Sequence, residues 1–168
     1  MLLAIAILAV AWFFNAGKIL RMYFMSDKEL VSVRDRVAAW VNAEIFSRED
    51  RRLATAIIAV ESSGNPGARS GSGSVGLMQV TAPALADYNA ARGTQIALND
   101  TVANPALSVR VGFWYLRSLE LNHGLTIFDA LRAYNAGIGN VRRDPAGEVG
   151  STYAAKVLAY SQRLGVIG

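Results

Sequence analysis

The 168-residue chain contains no cysteine and a single histidine, His123. The first absence removes disulfide frameworks, thiolate nucleophiles and cysteine-based zinc sites. The second leaves little from which to build a metal site or a Ser-His triad. Charge is sparse: Asp, Glu, Lys and Arg make up 18% of the residues against 52% hydrophobic, proportions that exclude intrinsic disorder. There is no basic tail. Residues 1–60 carry 8 basic and 6 acidic side chains and residues 61–168 carry 9 and 7, so the net charge of +4 is spread evenly. A nucleic-acid partner is therefore not expected. Long strands of period two are missing, as are internal repeats. One domain of ordinary size remains, with at most a short appendage. A core of that size can stand without disulfides, so the lack of cysteine does not fix a compartment.

The appendage is N-terminal. Residues 2–14 are 13 apolar residues in a row. As a helix they cover about 20 Å, and extension to Phe24 gives about 36 Å, against a hydrocarbon core of roughly 30 Å. Lys18 and Arg21 stand near one end, where long basic side chains snorkel, and Trp12 and Tyr23 suit the interfaces. A cleaved signal peptide fits less well: no Lys or Arg precedes the run, and Ala9-Val10-Ala11 falls too early within it. Residues 1–24 are expected to be a lipid-embedded anchor and residues 25–168 the working domain. The basic residues follow the span, which by the positive-inside tendency would keep that domain with the cytoplasm.

After residue 24 the pattern is helical. Ser26 and Glu29 form an S-x-x-E capping box ahead of Leu30, Val33, Val37, Trp40, Val41 and Ile45. Ser47 starts a second helix with Leu53, Ile57 and Val60 on its face and Gly64 as its end. The glycine-rich stretch 64–76 is the main loop, with room for a short β excursion within 70–80. Thr81 opens a helix ending near Gly93. Asn104-Pro105 opens another that runs to about Asn122. Thr126 starts a helix ending at Gly137, and a final helix spans about Ser151 to Leu164. The fold class is mainly α, with a small glycine-rich excursion.

Glu61 is the first candidate for chemistry. It lies four residues after Ile57 and eight after Leu53, on or beside the apolar face. A carboxyl half buried among Ile and Val is poorly solvated as an anion, so it holds its proton toward neutral pH and can deliver it to a leaving oxygen. The plain alternative is a helix-end Glu paired with an arginine such as Arg69.

Three motifs then follow in order: Glu61-Ser-Ser-Gly-Asn-Pro66 with Ser70, Gly76-Leu-Met-Gln79, and Ala133-Tyr-Asn-Ala-Gly137. Over about residues 53 to 164 the chain resembles the soluble lytic transglycosylases, which share the lysozyme-like fold and are close to goose-type lysozymes. The resemblance implies that Glu61 is the catalytic acid and base. It implies that Ser70 hydrogen-bonds substrate, and that Met78 and Gln79 line a glycan groove. Tyr134 and Asn135 would face Glu61 across it, the Tyr134 hydroxyl directed at the acid or at the bond being broken. An amide suits N-acetyl and hydroxyl groups, and a methionine offers a flexible apolar surface to a sugar face. Packing is the plain alternative for Met78 and Tyr134, and a local hydrogen bond for Gln79 and Asn135. The family's E-T-x-x-Y pattern is broken here. Tyr153 matches its tyrosine as a core or groove residue, while Glu148 stands five residues before it rather than four.

No second carboxylate stands near the Gly76–Gln79 motif. Asp87 and Asp100 are the nearest downstream and read as helix-face or loop residues. A single acid suffices where the substrate supplies the nucleophile. The resemblance implies that route: scission between N-acetylmuramic acid and N-acetylglucosamine with closure of a 1,6-anhydro ring, no metal and no cofactor. A hydrolase of goose-type lysozyme kind and a non-catalytic wall-binding assembly component are the alternatives. The implied partners are peptidoglycan strands, a membrane through residues 1–24, and the proteins of a phage virion or of a secretion or conjugation machine. The catalytic domain would face peptidoglycan from a bacterial inner membrane or a virion membrane.

Overall fold

The structure, a computed structural model, describes residues 24–144 and 146–167. The expected anchor, residues 1–24, lies outside the described residues except for Phe24. No helix among the described residues is long and apolar enough to cross a membrane.

Among the described residues eight helices follow one another: α1 (Asp27–Glu44), α2 (Arg48–Glu61), α3 (Ala82–Arg92), α4 (Asp100–Ala103), α5 (Pro105–His123), α6 (Ile127–Ala136), α7 (Ile138–Arg142) and α8 (Ser151–Val166). The mainly α class read from the sequence holds. So do the starts, because each is written locally. The Ser26 hydroxyl accepts from the Glu29 N–H while the Glu29 carboxylate accepts from the Ser26 N–H at 2.7 Å. Ser47, Thr81, Asn104 and Thr126 each accept from a backbone N–H of their own first turn. Gly93 and Gly124 close α3 and α5 in the left-handed conformation.

Two features differ from the sequence reading. The second helix was expected to show one apolar face, but Leu53 through Ala59 are buried without exception. A helix apolar all round belongs in the interior, and α2 lies against α1 and α8, with α6 packed on α8 and α5 on α6. It stops at Glu61, three residues before Gly64. Two short helices, α4 and α7, are additional. The glycine-rich excursion makes only isolated bridges, Arg69 with Val75 and Val75 with Val80.

The main core joins Leu30, Val37, Ile57, Ile58, Leu116, Leu131 and Tyr160. Each such aliphatic side chain taken fully out of water contributes about 1.5–3 kcal/mol. Leu77 and Met78 of the loop belong to this core too. The loop is thus seated by its own apolar residues rather than draped over the surface. A smaller cluster, Val80, Leu85, Tyr88 and Val111, ties α3 to α5. At the chain's start the Met25 N–H donates to the buried Tyr160 hydroxyl at 2.6 Å, and Arg163 donates to the Met25 carbonyl at 2.8 Å.

Candidate active site

Glu61 is the last residue of α2, half buried where that helix leaves the core. Burial raises its carboxyl above the ordinary value, and a hydrogen bond from Tyr153 lowers it by less. The Tyr153 hydroxyl donates to Glu61 Oε1 at 2.6 Å across 92 residues of sequence. Both Tyr153 and Tyr134 are themselves held well above the usual phenol range, first by burial and then by the charge of Glu61. They are therefore neutral donors at any working pH. With Tyr153 donating to Oε1, the proton of a protonated Glu61 belongs on Oε2, the oxygen left free.

The plain alternative for Glu61, a pair with Arg69, is not what the structure contains. Arg69 reaches Asn99 at 3.1 Å. Burial and Tyr153 account for the whole shift, with no charged partner among the causes. Asp87 acts on Tyr115, and Asp100 accepts from the Ala97 N–H at 2.8 Å. Among the described residues no three His, Asp or Glu side chains converge as a metal site needs.

The loop after Glu61 is closed by side chains. The Ser62 hydroxyl donates to the Leu77 carbonyl at 2.8 Å, bringing the Gly76–Gln79 segment to the end of α2. Gln79 stands at φ +47, a conformation that costs a non-glycine residue about 1–3 kcal/mol unless its surroundings hold it. Here they do. Its amide nitrogen donates to the Gly76 and Ala68 carbonyls at 3.0 and 3.3 Å, and its oxygen accepts from Ser74 at 2.8 Å. Since Ser74 gives its one proton to Gln79, the 2.7 Å contact between Ser70 and Ser74 has Ser70 as donor. Ser72 must then donate to Ser70 at 2.9 Å. Ser70 also accepts from the Ser74 N–H at 2.9 Å.

These contacts bear on several expected roles. Ser70 and Gln79, expected to bind substrate, are partly exposed and hydrogen-bond within this relay, which fixes the loop. Met78, expected on the groove wall, has no exposed surface and is core. Tyr134 was expected to direct its hydroxyl at Glu61 or the scissile bond; it donates to the Met78 carbonyl at 2.7 Å instead. Gly112 permits this arrangement: a Cβ there would stand 2.6 Å from Met78 Cβ and 2.9 Å from the Tyr134 hydroxyl.

Asn135, Glu148 and Tyr153 do come together. They line a hollow of about 420 Å³ with Phe24, Val60 and Lys156. Its wall includes Tyr153, the partner of Glu61. A small cavity of about 20 Å³ lies among Gln79, Tyr115 and Tyr134. Tyr115 is shared with a second hollow of about 460 Å³ walled by Asp87, Trp114 and Asn122.

One positioning residue escaped the sequence reading. Arg132, 5% exposed, donates to the Val149 carbonyl at 2.9 Å, to Asp129 at 2.8 Å and to Asp144 at 2.6 Å. Asp144 in turn accepts from the Val149 N–H at 2.7 Å. This staple holds the loop that leads into α8, and so the first turn from which Tyr153 reaches Glu61. Gly150, at φ +74, lets the loop close: a Cβ there would stand 2.8 Å from the Arg132 carbonyl oxygen. The available signal was an arginine between Leu131 and Ala133 on an apolar face, three residues after an aspartate.

A search of curated proteins finds no match to this chain. The family model for the transglycosylase SLT domain matches residues 39–155. That span begins within α1, contains Glu61, the loop, Tyr134 and Arg132, and ends just past Tyr153. The chain therefore belongs to the transglycosylase SLT domain family, enzymes of the lytic transglycosylase type that degrade peptidoglycan.

Proposed function

We propose that the protein cleaves the β-1,4 bond between N-acetylmuramic acid and N-acetylglucosamine with Glu61 as its single catalytic acid and base, leaving 1,6-anhydro ends. The observation that carries this reading is a carboxyl raised by burial, with a phenol on one oxygen and no second acid acting on it. Oε2 of Glu61 gives its proton to the glycosidic oxygen as the C–O bond breaks. The substrate's N-acetyl carbonyl stabilises the developing cation. The carboxylate so formed takes the proton from the C6 hydroxyl as its oxygen bonds to C1, which restores the acid and consumes no water. Tyr153 stabilises the carboxylate between the two proton transfers. Asn135 and Glu148 border the space that one arm of the glycan would occupy.

Digestion of purified sacculi followed by mass spectrometry tests the reading. Muropeptide ends one water lighter than hydrolysed ends are expected, and Glu61→Gln abolishes them. Reducing ends alone would move the assignment to a lysozyme-like hydrolase. An inert wild-type protein that still binds sacculi would move it to a wall-binding assembly component.

The setting belongs to the same proposal. Residues 1–24 would tether the domain 25–168 to a membrane beside the wall, for local opening during phage genome delivery or assembly of a secretion or conjugation machine. Reporter fusions at the C-terminus test the side on which the domain resides.

A further inference from the structure

A separate hollow lies toward the start of α2, the helix that ends in Glu61. It holds about 340 Å³, within the span of small-molecule sites, roughly 300–1,000 Å³. Four guanidinium groups surround it, Arg34 from α1 and Arg48, Arg51 and Arg52 from α2, with Asp35 the one carboxylate in its wall. Asp35 pairs with Arg34 at 2.9 Å, and Arg51 gives its Nε to the Ile45 carbonyl at 2.6 Å. Arg48 and Arg52 meet no carboxylate among the described residues. Arg48 precedes Arg51 and Arg52 by three and four residues, so like charges crowd one helix face. That arrangement repels itself until an anion stands among them.

A second observation points into the same space. Thr55, one turn beyond Arg51 and Arg52, is 5% exposed and lines the hollow. Its hydroxyl has no hydrogen-bond partner among the described residues, although no fully buried side-chain polar atom there lacks one. The hydroxyl therefore opens onto the hollow. Val41 and Leu164 give the wall an apolar backing, which strengthens any charge interaction made against it.

We propose that this hollow binds a phosphate group carried as a phosphoester, gripped by Arg48 and Arg52 and hydrogen-bonded by Thr55. Guanidinium forks match phosphate oxygens two at a time. Once Asp35 offsets one charge, three positive charges remain, more than a single carboxylate neutralises. The volume also leaves space for a small polyol or sugar on the ester. Arg51 precedes Glu61 by ten residues, about 15 Å along the helix, so the site is separate from the glycan chemistry and does not rest on it.

The test is isothermal titration of the full chain, in neutral detergent at low salt, with inorganic phosphate, glycerol 3-phosphate and acetate at matched ionic strength. Saturable 1:1 binding of the phosphates is expected, about tenfold or more tighter than acetate. Arg48→Gln/Arg52→Gln should weaken it by about tenfold or more, and Thr55→Val by less. Both arginines are at least partly exposed, so the double variant keeps its fold, which circular dichroism checks. Vesicles of phosphatidylglycerol and of phosphatidylcholine separate the sources. Binding to the former alone, lost in the double variant, assigns a lipid headgroup; binding of free glycerol 3-phosphate without it assigns a soluble or polymer-borne phosphoester. The proposal is overturned if no phosphate probe saturates, if acetate binds equally well, or if both variants bind as the wild type does.

Discussion

Replacing Arg132 by methionine isolates the staple that aims Tyr153 at Glu61. The arginine makes three hydrogen bonds from a site that is 5% exposed. Methionine keeps most of the apolar stem, so little hydrophobic burial is lost. What is lost is the partner of a carboxylate, Asp144, whose side chain is 12% exposed. Breaking such a pair from one side costs about 3–5 kcal/mol, mostly the penalty of the charge left behind. That is a large part of the roughly 5–15 kcal/mol by which domains are stable. With a urea dependence of about 1–3 kcal/mol per M, the unfolding midpoint should fall by about 1–5 M. The companion variant Arg132→Met/Asp144→Asn removes the stranded charge and should recover a substantial share. Hydrogen exchange at the amides of residues 146–151 should accelerate in the single variant, and sacculus digestion should slow, although Arg132 makes no hydrogen bond to Glu61. A midpoint within about 0.3 M of wild type, or a double variant no more stable than the single, would refute the argument that a buried charge pair holds this loop.

Further outcomes follow from the same geometry. Tyr153→Phe deletes the one bond that lowers the Glu61 carboxyl; the alkaline limb of the pH–rate profile should move to higher pH, with a lower maximum. Glu61→Gln should unfold at higher temperature than wild type at pH 7. A folded-state value raised by burial contributes stability below the ordinary 4.5 that is lost as pH rises through the folded value, so the gain should vanish near pH 4 and calorimetry at both pH values reads it. Gly112→Ala gains about 1 kcal/mol of helix propensity but drives a methyl to 2.6 Å from Met78 Cβ, a cost of about 1–3 kcal/mol plus the strained Tyr134 bond. Net destabilisation in thermal melts, with reduced activity, is expected.

What could be read from the sequence was what is encoded over short distances. The caps at Ser26, Ser47, Thr81, Asn104 and Thr126 were legible because donor and acceptor lie within one turn. Glu61 was legible because its spacing from Ile57 and Leu53 placed a carboxyl against an apolar face. The helices α4 and α7 were not, since 4 and 5 residues are too few to show a period. Tyr153 was placed only as a core or groove residue. Its bond to Glu61 spans 92 residues, and no local pattern reports such a distance. In the glycine-rich loop, what the sequence did not report is that Ser70 and Gln79 also hold the loop together, through side-chain bonds that reach as far as Ala68, 11 residues from Gln79. Met78 reads as a side chain suited to a sugar, but a methionine with no exposed surface has none to lend.

The fastening of Met25 to Tyr160 and Arg163 has a mechanical consequence. Phe24, the first described residue, borders the same hollow as Tyr153 and Asn135. Met25 is therefore clamped at two points beside the rim of that hollow. It is a fixed point relative to Tyr153 and, through it, to the acid. Lengthening the chain between Met25 and Asp27 would introduce play at that joint.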